Sequence, residues 1–413
     1  MAGDVVPSSA SLPDVPVLTL FLVAGEESGD QLGAALMRAL PAALGRPVRF
    51  LGVGGERMHR AGLTSLFPLS DISVMGATEV IGRLPTILRR IREAAAAAIA
   101  AAPAAVIIID SPDFTHRVAA RIRKARPEIP VIDYVSPSVW AWRPGRARKM
   151  AAYVDHLLAI LPFEPEAHRR LGGPPCSYVG HPLLDHLDEL RPAPGERSAP
   201  GQGRPVLLLL PGSRRSEVKR LLDDFGRTLP LIAERTGPLD VLLPAVPHLA
   251  DRIEEAVAGW PVRPVVVRGE AAKRAAFRRA HAALAASGTV SLELALAGVP
   301  MAVAYRLDVV YRFIKRLNRV FPIASVTSMV LPNIILGENV VPEFLDEEAS
   351  PERLAATVAP LLADGPQRQR QLDAFARLDH LMALEGGISP SVAAARVVAG
   401  VLAGRGIVSP PAA

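Results

Sequence analysis

Short apolar runs alternate with helical stretches along the first half of the chain. Val17–Val23, Val48–Val53, Ala105–Ile109, Val131–Val135, Leu157–Leu161 and Ser177–Val179 have the length of buried strands. Gln31–Leu40 carries helical periodicity behind the first run, and a long Ala-rich helix precedes Ala105. The stretch Arg191–Arg204 breaks the pattern with Pro and Gly throughout, as a linker does. The pattern then restarts: Val206–Leu210, Val241–Leu243, Val265–Val267, Ala282–Ala286 and Met301–Ala304 form a second set. From Pro351 onward only helical periodicity remains. Strands alternating with helices imply parallel βαβ units. The expected fold is α/β: two Rossmann-like halves with parallel sheets facing a cleft, then a helical C-terminal segment. The expected division is a frayed extension over 1–16, a first domain over 17–188, a linker over 189–204, a second domain over 205–350 and C-terminal helices over 351–413.

Composition narrows the class. A chain of 413 residues suits two domains of ordinary size. Aromatic residues are only 5%, so Ala, Leu and Val must build the cores. Cys176 is the single cysteine, which rules out an internal disulfide and a Cys-based zinc site. The stretch Met1–Pro16 has neither a basic nor an apolar region of a secretory signal, so none is expected. The longest apolar stretch, Ala94–Ile108, is Ala-rich and broken by Pro103, too weak to span a bilayer. A net charge of +6 favours anionic partners without choosing among nucleic acid, anionic lipid and phosphorylated metabolites.

Several strand ends carry candidate chemistry, because ligands of α/β domains bind at the carboxyl edge of the sheet. The first strand runs into Gly25-Glu26-Glu27-Ser28-Gly29-Asp30, a turn at a helix start suited to a polar ligand or to ordinary capping. It lacks the dinucleotide spacing, as does Gly52-Val-Gly54-Gly55, where Arg57 replaces the third glycine. The run Ile107–Ile109 ends in Asp110-Ser-Pro-Asp113, two carboxylates of which one could act as a general base. No metal is expected there, since no His or further carboxylate accompanies the pair. Tyr134–Arg143 holds Trp140 and Trp142 beside arginines, as a sugar-stacking loop or as core packing.

In the second half, Gly212-Ser213-Arg214 combines close backbone approach, a hydroxyl and a guanidinium at a helix start, which suits a diphosphate. It is not a P-loop. Ser287-Gly288-Thr289 opens another helix, with Glu293 placed to accept ribose hydroxyls; a capping box is the alternative. Together these two loops point to a nucleotide diphosphate. Val74, Met75, Val80, Leu84, Ile87 and Leu88 form an apolar stripe flanked by Arg83, Arg89, Arg90 and Arg92. Such a stripe can dock on anionic lipid or pack on a core. Tyr311–Phe321 is basic and apolar in the same way.

The strings Val23-Ala-Gly-Glu-Glu-Ser-Gly-Asp30, Asp110-Ser-Pro-Asp-Phe114, Tyr134-Val-Ser-Pro-Ser-Val-Trp-Ala-Trp142, Leu161-Pro-Phe-Glu164, Val179-Gly-His-Pro182, Leu210-Pro-Gly-Ser-Arg214, Ala286-Ser-Gly-Thr289 and Leu331-Pro-Asn333 occur in order. From about Val17 to the last helices this resembles the lipid-A-disaccharide synthases. The resemblance implies a GT-B fold, with the acceptor bound by the first domain and UDP by the second. It implies transfer of 2,3-diacylglucosamine from UDP-2,3-diacylglucosamine to the 6-hydroxyl of 2,3-diacylglucosamine 1-phosphate (lipid X), with inversion. It further implies Asp113 as base and Asp110 orienting its loop. Glu26 and Ser28 would lie on the acceptor or reacting sugar, with Asn333 lining the cleft. Gly212, Ser213, Arg214, Ser287, Gly288 and Thr289 would hold the diphosphate, and Glu293 the ribose. No cofactor, metal or nucleic-acid partner is expected. Acylated substrates imply an anionic membrane surface, on the cytoplasmic side where UDP-sugars are made, and promote the Val74–Ile91 stripe to a docking face. A homodimer stays open, because the C-terminal helices can pack on their own chain or on a partner. Two positions depart from the family: Thr115 where Asn is common, and Asp346 where Gln is common. A UDP-GlcNAc 2-epimerase, another lipid-linked-sugar transferase or a non-catalytic binding protein are the rival readings.

Overall fold

The computed structural model describes residues 16–73, 77–306 and 328–409. Its first sheet contains β1 (Leu18–Ala24), β2 (Val48–Val53), β3 (Thr64–Ser65), β4 (Ala105–Ile109), β5 (Val131–Tyr134), β6 (His156–Ala159) and β7 (Cys176–Tyr178). The second holds β8 (Val206–Leu210), β9 (Asp240–Ala245), β10 (Val265–Arg268), β11 (Ala282–Ala286), β12 (Met301–Tyr305) and β13 (Glu343–Leu345). All pairings are parallel, in the orders β3-β2-β1-β4-β5-β6-β7 and β10-β9-β8-β11-β12-β13. Helices cover both faces, so β4, β8 and β11 are buried at every position and read as unbroken apolar runs. This is the GT-B arrangement of two Rossmann-like sheets. In each sheet the strand order reverses once, between β1 and β4 and between β8 and β11. Those reversals are where ligands bind in such sheets.

Two edge strands, β3 and β13, have only 2 and 3 residues, too few for an alternation to stand out. Gly52 explains how β2 can lie so close to β1. Its φ is +137°, and a Cβ there would stand 1.8 Å from the Leu22 carbonyl oxygen. Any side chain would separate the strands.

The C-terminal helices divide between the domains. Phe375, Leu378 and Met382 of the helix Pro366–Met382 join the second-domain core with Phe277 and Leu292. The last helix, Pro390–Gly404, returns to the first domain, where Ala394, Val398 and Leu402 share a core with Leu36 and Leu40 of the helix Glu27–Leu44. These helices therefore pack on their own chain. The stretch between the domains is also held down. The Arg197 guanidinium donates to the carbonyls of Phe277 (3.0 Å), Arg278 (3.1 Å), Ala297 (2.9 Å) and Gly298 (2.7 Å). Burial lowers its pKa to about 10, still charged at neutral pH.

The basic apolar stripe splits along the helix Ala77–Ala101. Ile91 is fully buried, and Ile87 and Leu88 are half-buried against a core with Phe67 and Ile72. Arg90 lies 4.6 Å over the Phe67 ring and bonds Asp71 and Glu93, each at 2.6 Å. Ile87 and Leu88 thus give part of their surface to this core and keep the rest exposed. Leu84 stays 43% exposed. Val74, Met75 and Tyr311–Phe321 lie outside the described residues, as does the Val80 side chain. Among the described residues no helix is long and apolar enough to cross a membrane.

Candidate active site

The turns after β1 and β4 stand side by side because Ala24 pairs with Ile109. Asp110 and Ser111 both take left-handed backbone, with φ of 55° and 45°. Non-glycine residues adopt this at a cost of about 1 kcal/mol or more each, and such strain concentrates at functional sites. A local network holds it. Ser28 Oγ donates to Asp110 Oδ2 (2.7 Å), and the Ser111 N–H to Asp110 Oδ1 (2.8 Å). Ser111 Oγ donates to Glu26 Oε1 (2.7 Å). The buried Thr115 hydroxyl donates to the Asp110 carbonyl (2.7 Å), so this departure from the family pattern supports the turn itself. Gly25 is required at the contact, since a Cβ there would stand 2.3 Å from Ser111 Cβ. The four predicted residues Glu26, Ser28, Asp110 and Asp113 are gathered at this edge. Asp113 differs from its neighbour: its side chain is 84% exposed and Oδ1 accepts from Arg146 Nη2 at 2.7 Å. Behind the turn lies the buried Asp133, with His116 Nε2 3.0 Å from Oδ2 but off the line of a hydrogen bond. Burial raises the Asp133 pKa.

A cleft of about 690 Å³ opens at the β8/β11 reversal. All seven residues predicted for UDP line it: Gly212, Ser213, Arg214, Ser287, Gly288, Thr289 and Glu293. Glu27, from the first domain, lines it too. Of the members not read from the sequence as site residues, three bear most on its chemistry. Glu217 Oε2 accepts from the Ser213 and Arg214 N–H groups at 3.1 and 3.2 Å, and Oε1 from Arg214 Nη1 at 2.7 Å. Those two amides therefore serve the capping of the helix Arg215–Thr236, leaving an anion the guanidinium and the hydroxyl. The second is Lys273, whose Nζ lies 2.6 Å from Glu293 Oε2. The third is Glu27. Glu217 had a sequence signal, three residues into the helix from Arg214 where a capping-box acid falls, and Glu27 lies in the turn after the first strand already read as suited to a polar ligand; Lys273 had none. Thr289 does not cap its helix by its side chain, so the capping-box alternative fails at that residue. Ser287 Oγ donates to the Met329 carbonyl at 2.9 Å.

Asn333 is placed otherwise than expected. It is 2% exposed, and its amide is fully used within the chain. Nδ2 donates to the Val341 carbonyl (2.8 Å) and Glu343 Oε1 (2.9 Å), while Oδ1 accepts from the Val340 (3.0 Å) and Val341 (2.9 Å) N–H groups. The amide staples a loop and does not line the cleft.

The aromatic loop after β5 divides its two tryptophans. Trp140 packs edge-on to Phe163 at 5.1 Å and donates from Nε1 to Glu164 Oε1 at 3.2 Å, whereas Trp142 is 36% exposed. Glu164 also accepts from the Leu161 N–H at 3.0 Å. Burial dominates these bonds and pushes its carboxyl up to about 7. The folded protein thus keeps a proton on Glu164 at pH values where the unfolded chain has released it. That stabilisation is complete below about pH 4.5 and is lost as pH rises towards 7. His168 and His181, pushed down to about 4 by burial, act in the opposite sense. The informative quantity is therefore a difference. Relative to the wild type, Glu164→Gln should gain thermal midpoint as pH rises from 5 to 8. A parallel pH profile for the two proteins would remove Glu164 as the source.

Comparison with known proteins places the chain. The family model described as Lipid-A-disaccharide synthetase matches residues 20–395. The lipid-A-disaccharide synthase of Nitrobacter winogradskyi is 56% identical over 383 residues, spanning 93% of this chain and 95% of that one. The crystal structure of UDP-GlcNAc 2-epimerase from Neisseria meningitidis bound to UDP-GlcNAc has a TM-score of 0.56 at 12% identity, over 93% of this chain and 99% of that chain. That of CalG4, the calicheamicin glycosyltransferase, has 0.54 at 15%, over 95% and 99%. These two likenesses concern the fold alone, so the epimerase match does not favour epimerase activity. Matched over almost its whole length and sharing more than half its residues with such a relative, the chain belongs to the lipid-A-disaccharide synthase family of glycosyltransferases.

Proposed function

We propose that the two switch-point sites form one transfer centre, with UDP-2,3-diacylglucosamine in the β8/β11 cleft and lipid X at the Asp110 turn. The acceptor O6 attacks the anomeric carbon of the donor, the bond from that carbon to the diphosphate breaks, and UDP departs. A carboxylate takes the O6 proton, and the product is the β-1,6-linked disaccharide 1-phosphate. The observation that carries this reading is the cleft itself, which joins both nucleotide loops to Glu27 from the other domain. Arg214 and Lys273 would stabilise the departing diphosphate, and Glu293 would face the ribose. For the base, the geometry favours Asp110 over the sequence-based choice, Asp113. Asp110 sits at the reversal in strained backbone kept by its own network, whereas Asp113 is solvent-exposed and engaged by Arg146. The reading includes a cytoplasmic membrane surface, because both substrates are acylated, with Leu84 at its edge.

The test is an assay with UDP-2,3-diacylglucosamine and lipid X, reading the product by mass. Disaccharide 1-phosphate formed with stoichiometric UDP supports the reading; donor turnover without acceptor would replace it with an epimerase. Flotation with anionic vesicles addresses the membrane part. Leu84→Ser should weaken association at unchanged thermal midpoint, and unchanged association would remove Leu84 from any docking face.

A further inference from the structure

A second cavity, of about 380 Å³, lies on the first domain apart from the donor cleft. The helix Glu27–Leu44 contributes Gln31 and Arg38 to its wall, and the short helix Glu56–Arg60 contributes Arg57 and Arg60. Asp185 and His186 come from the turn after β7. Two features tie this cavity to the transfer centre. Tyr134 lines it, and the Tyr134 carbonyl accepts from the Asp110 N–H at 3.0 Å. Glu27 lines the donor cleft and Gln31 this cavity, four residues apart on one helix face, about 6 Å along the axis.

The charges in the wall are unequal. Arg60 pairs with Glu56 at 3.1 Å, and His186 with Glu189 at 3.1 Å. Among the described residues, Arg38 and Arg57 have no side-chain partner. The wall contains one carboxylate, Asp185, whose pKa burial raises. Two unpaired arginines and a glutamine lining one cavity suit the forked, multiply accepting geometry of a phosphate.

We infer that this cavity binds a phosphate monoester, and, resting on the acceptor reading above, that it holds the phosphate on C1 of the acceptor sugar. The sugar ring would then bridge from Arg38 and Arg57 to the Asp110 turn, presenting O6 at the donor cleft. The pair would act in selecting the phosphorylated acceptor, with no part in the proton transfer.

Steady-state kinetics of the wild type and of the Arg38→Gln/Arg57→Gln variant test this, using lipid X and the same acylated sugar lacking its phosphate. The expected result is a rise in KM for lipid X of about tenfold or more, with kcat little changed. KM for the unphosphorylated acceptor should not move. Equal rises for both acceptors, or no rise for either, would overturn the inference. So would a variant that loses binding to phosphatidylglycerol vesicles with its KM for lipid X intact, since a lipid headgroup would then be the occupant. Both side chains are exposed, so the variant should keep the wild-type thermal midpoint; Arg57→Gln alone serves if it does not. If the wild type forms no disaccharide from either acceptor, the fault lies in the proposed function. Calorimetry with glucosamine 1-phosphate then judges the cavity by itself: binding lost in the variant supports it, and equal binding removes it.

Discussion

Asp110→Asn should lower disaccharide formation by about 10²- to 10⁴-fold, the usual scale for removing a general base. Asn tolerates left-handed backbone well, so the φ of 55° at this position should persist. Its side-chain oxygen can still accept from the Ser111 N–H, and its Nδ2 can donate to the Ser28 hydroxyl, which turns from donor to acceptor. UDP binding should survive, because no residue of the Asp110 turn lines the donor cleft. Asp113→Asn is the comparison. It removes a charge from a solvent-exposed ion pair with Arg146, and such pairs contribute about 0–1 kcal/mol. Transfer by that variant should stay within about tenfold of wild type. The assignment would be falsified if Asp113→Asn abolished transfer while Asp110→Asn retained it; Asp113 would then be the base, as the family pattern led one to expect. Equal loss in both would mean the two carboxylates act as a unit.

The second large effect concerns stability. Asn333→Ala would delete four hydrogen bonds and leave the Val341 N–H unpaired in a buried loop, whereas the Val340 N–H keeps the Glu338 carbonyl at 3.1 Å. The expected cost is about 2–4 kcal/mol. For a domain of this size that corresponds to a midpoint lower by roughly 5–10 °C, measured by calorimetry. Below that transition the specific activity and the acceptor KM should match the wild type. An unchanged midpoint together with a raised acceptor KM would restore Asn333 to the substrate site. Asn333 and Asp110 both lie in family strings, and only their surroundings differ: Asn333 is buried and spent on backbone groups, Asp110 stands at the strand-order reversal.

Much of the fold was legible along the chain for a simple reason. Central strands of a parallel sheet are covered on both faces, so β4, β8 and β11 appear as continuous apolar runs with their observed limits. Turn chemistry is equally local. Glycine, serine and a following helix mark the Gly212 and Ser287 loops whatever surrounds them, and the topology then brings both to one cleft. Other features had no local signal. A strand of 2 residues has no period, and Lys273 joined the cleft lining only when distant segments met there. The stripe at Leu84, Ile87 and Leu88 has one periodicity for two outcomes, and what stands opposite it, Phe67 and Ile72, decides which side chains are buried. Likewise Asp110 and Asp113 are alike as letters; Ser28 and Arg146, contributed by other segments, make them different. The sequence by itself therefore determined the α/β class, the two halves and the Gly212 and Ser287 turns, since these follow from spacing and residue type. Only the tertiary structure decided the return of the last helix to the first domain, the burial of Asn333 and the division between the two carboxylates. Those depend on contacts between residues far apart in the chain, which no periodicity encodes.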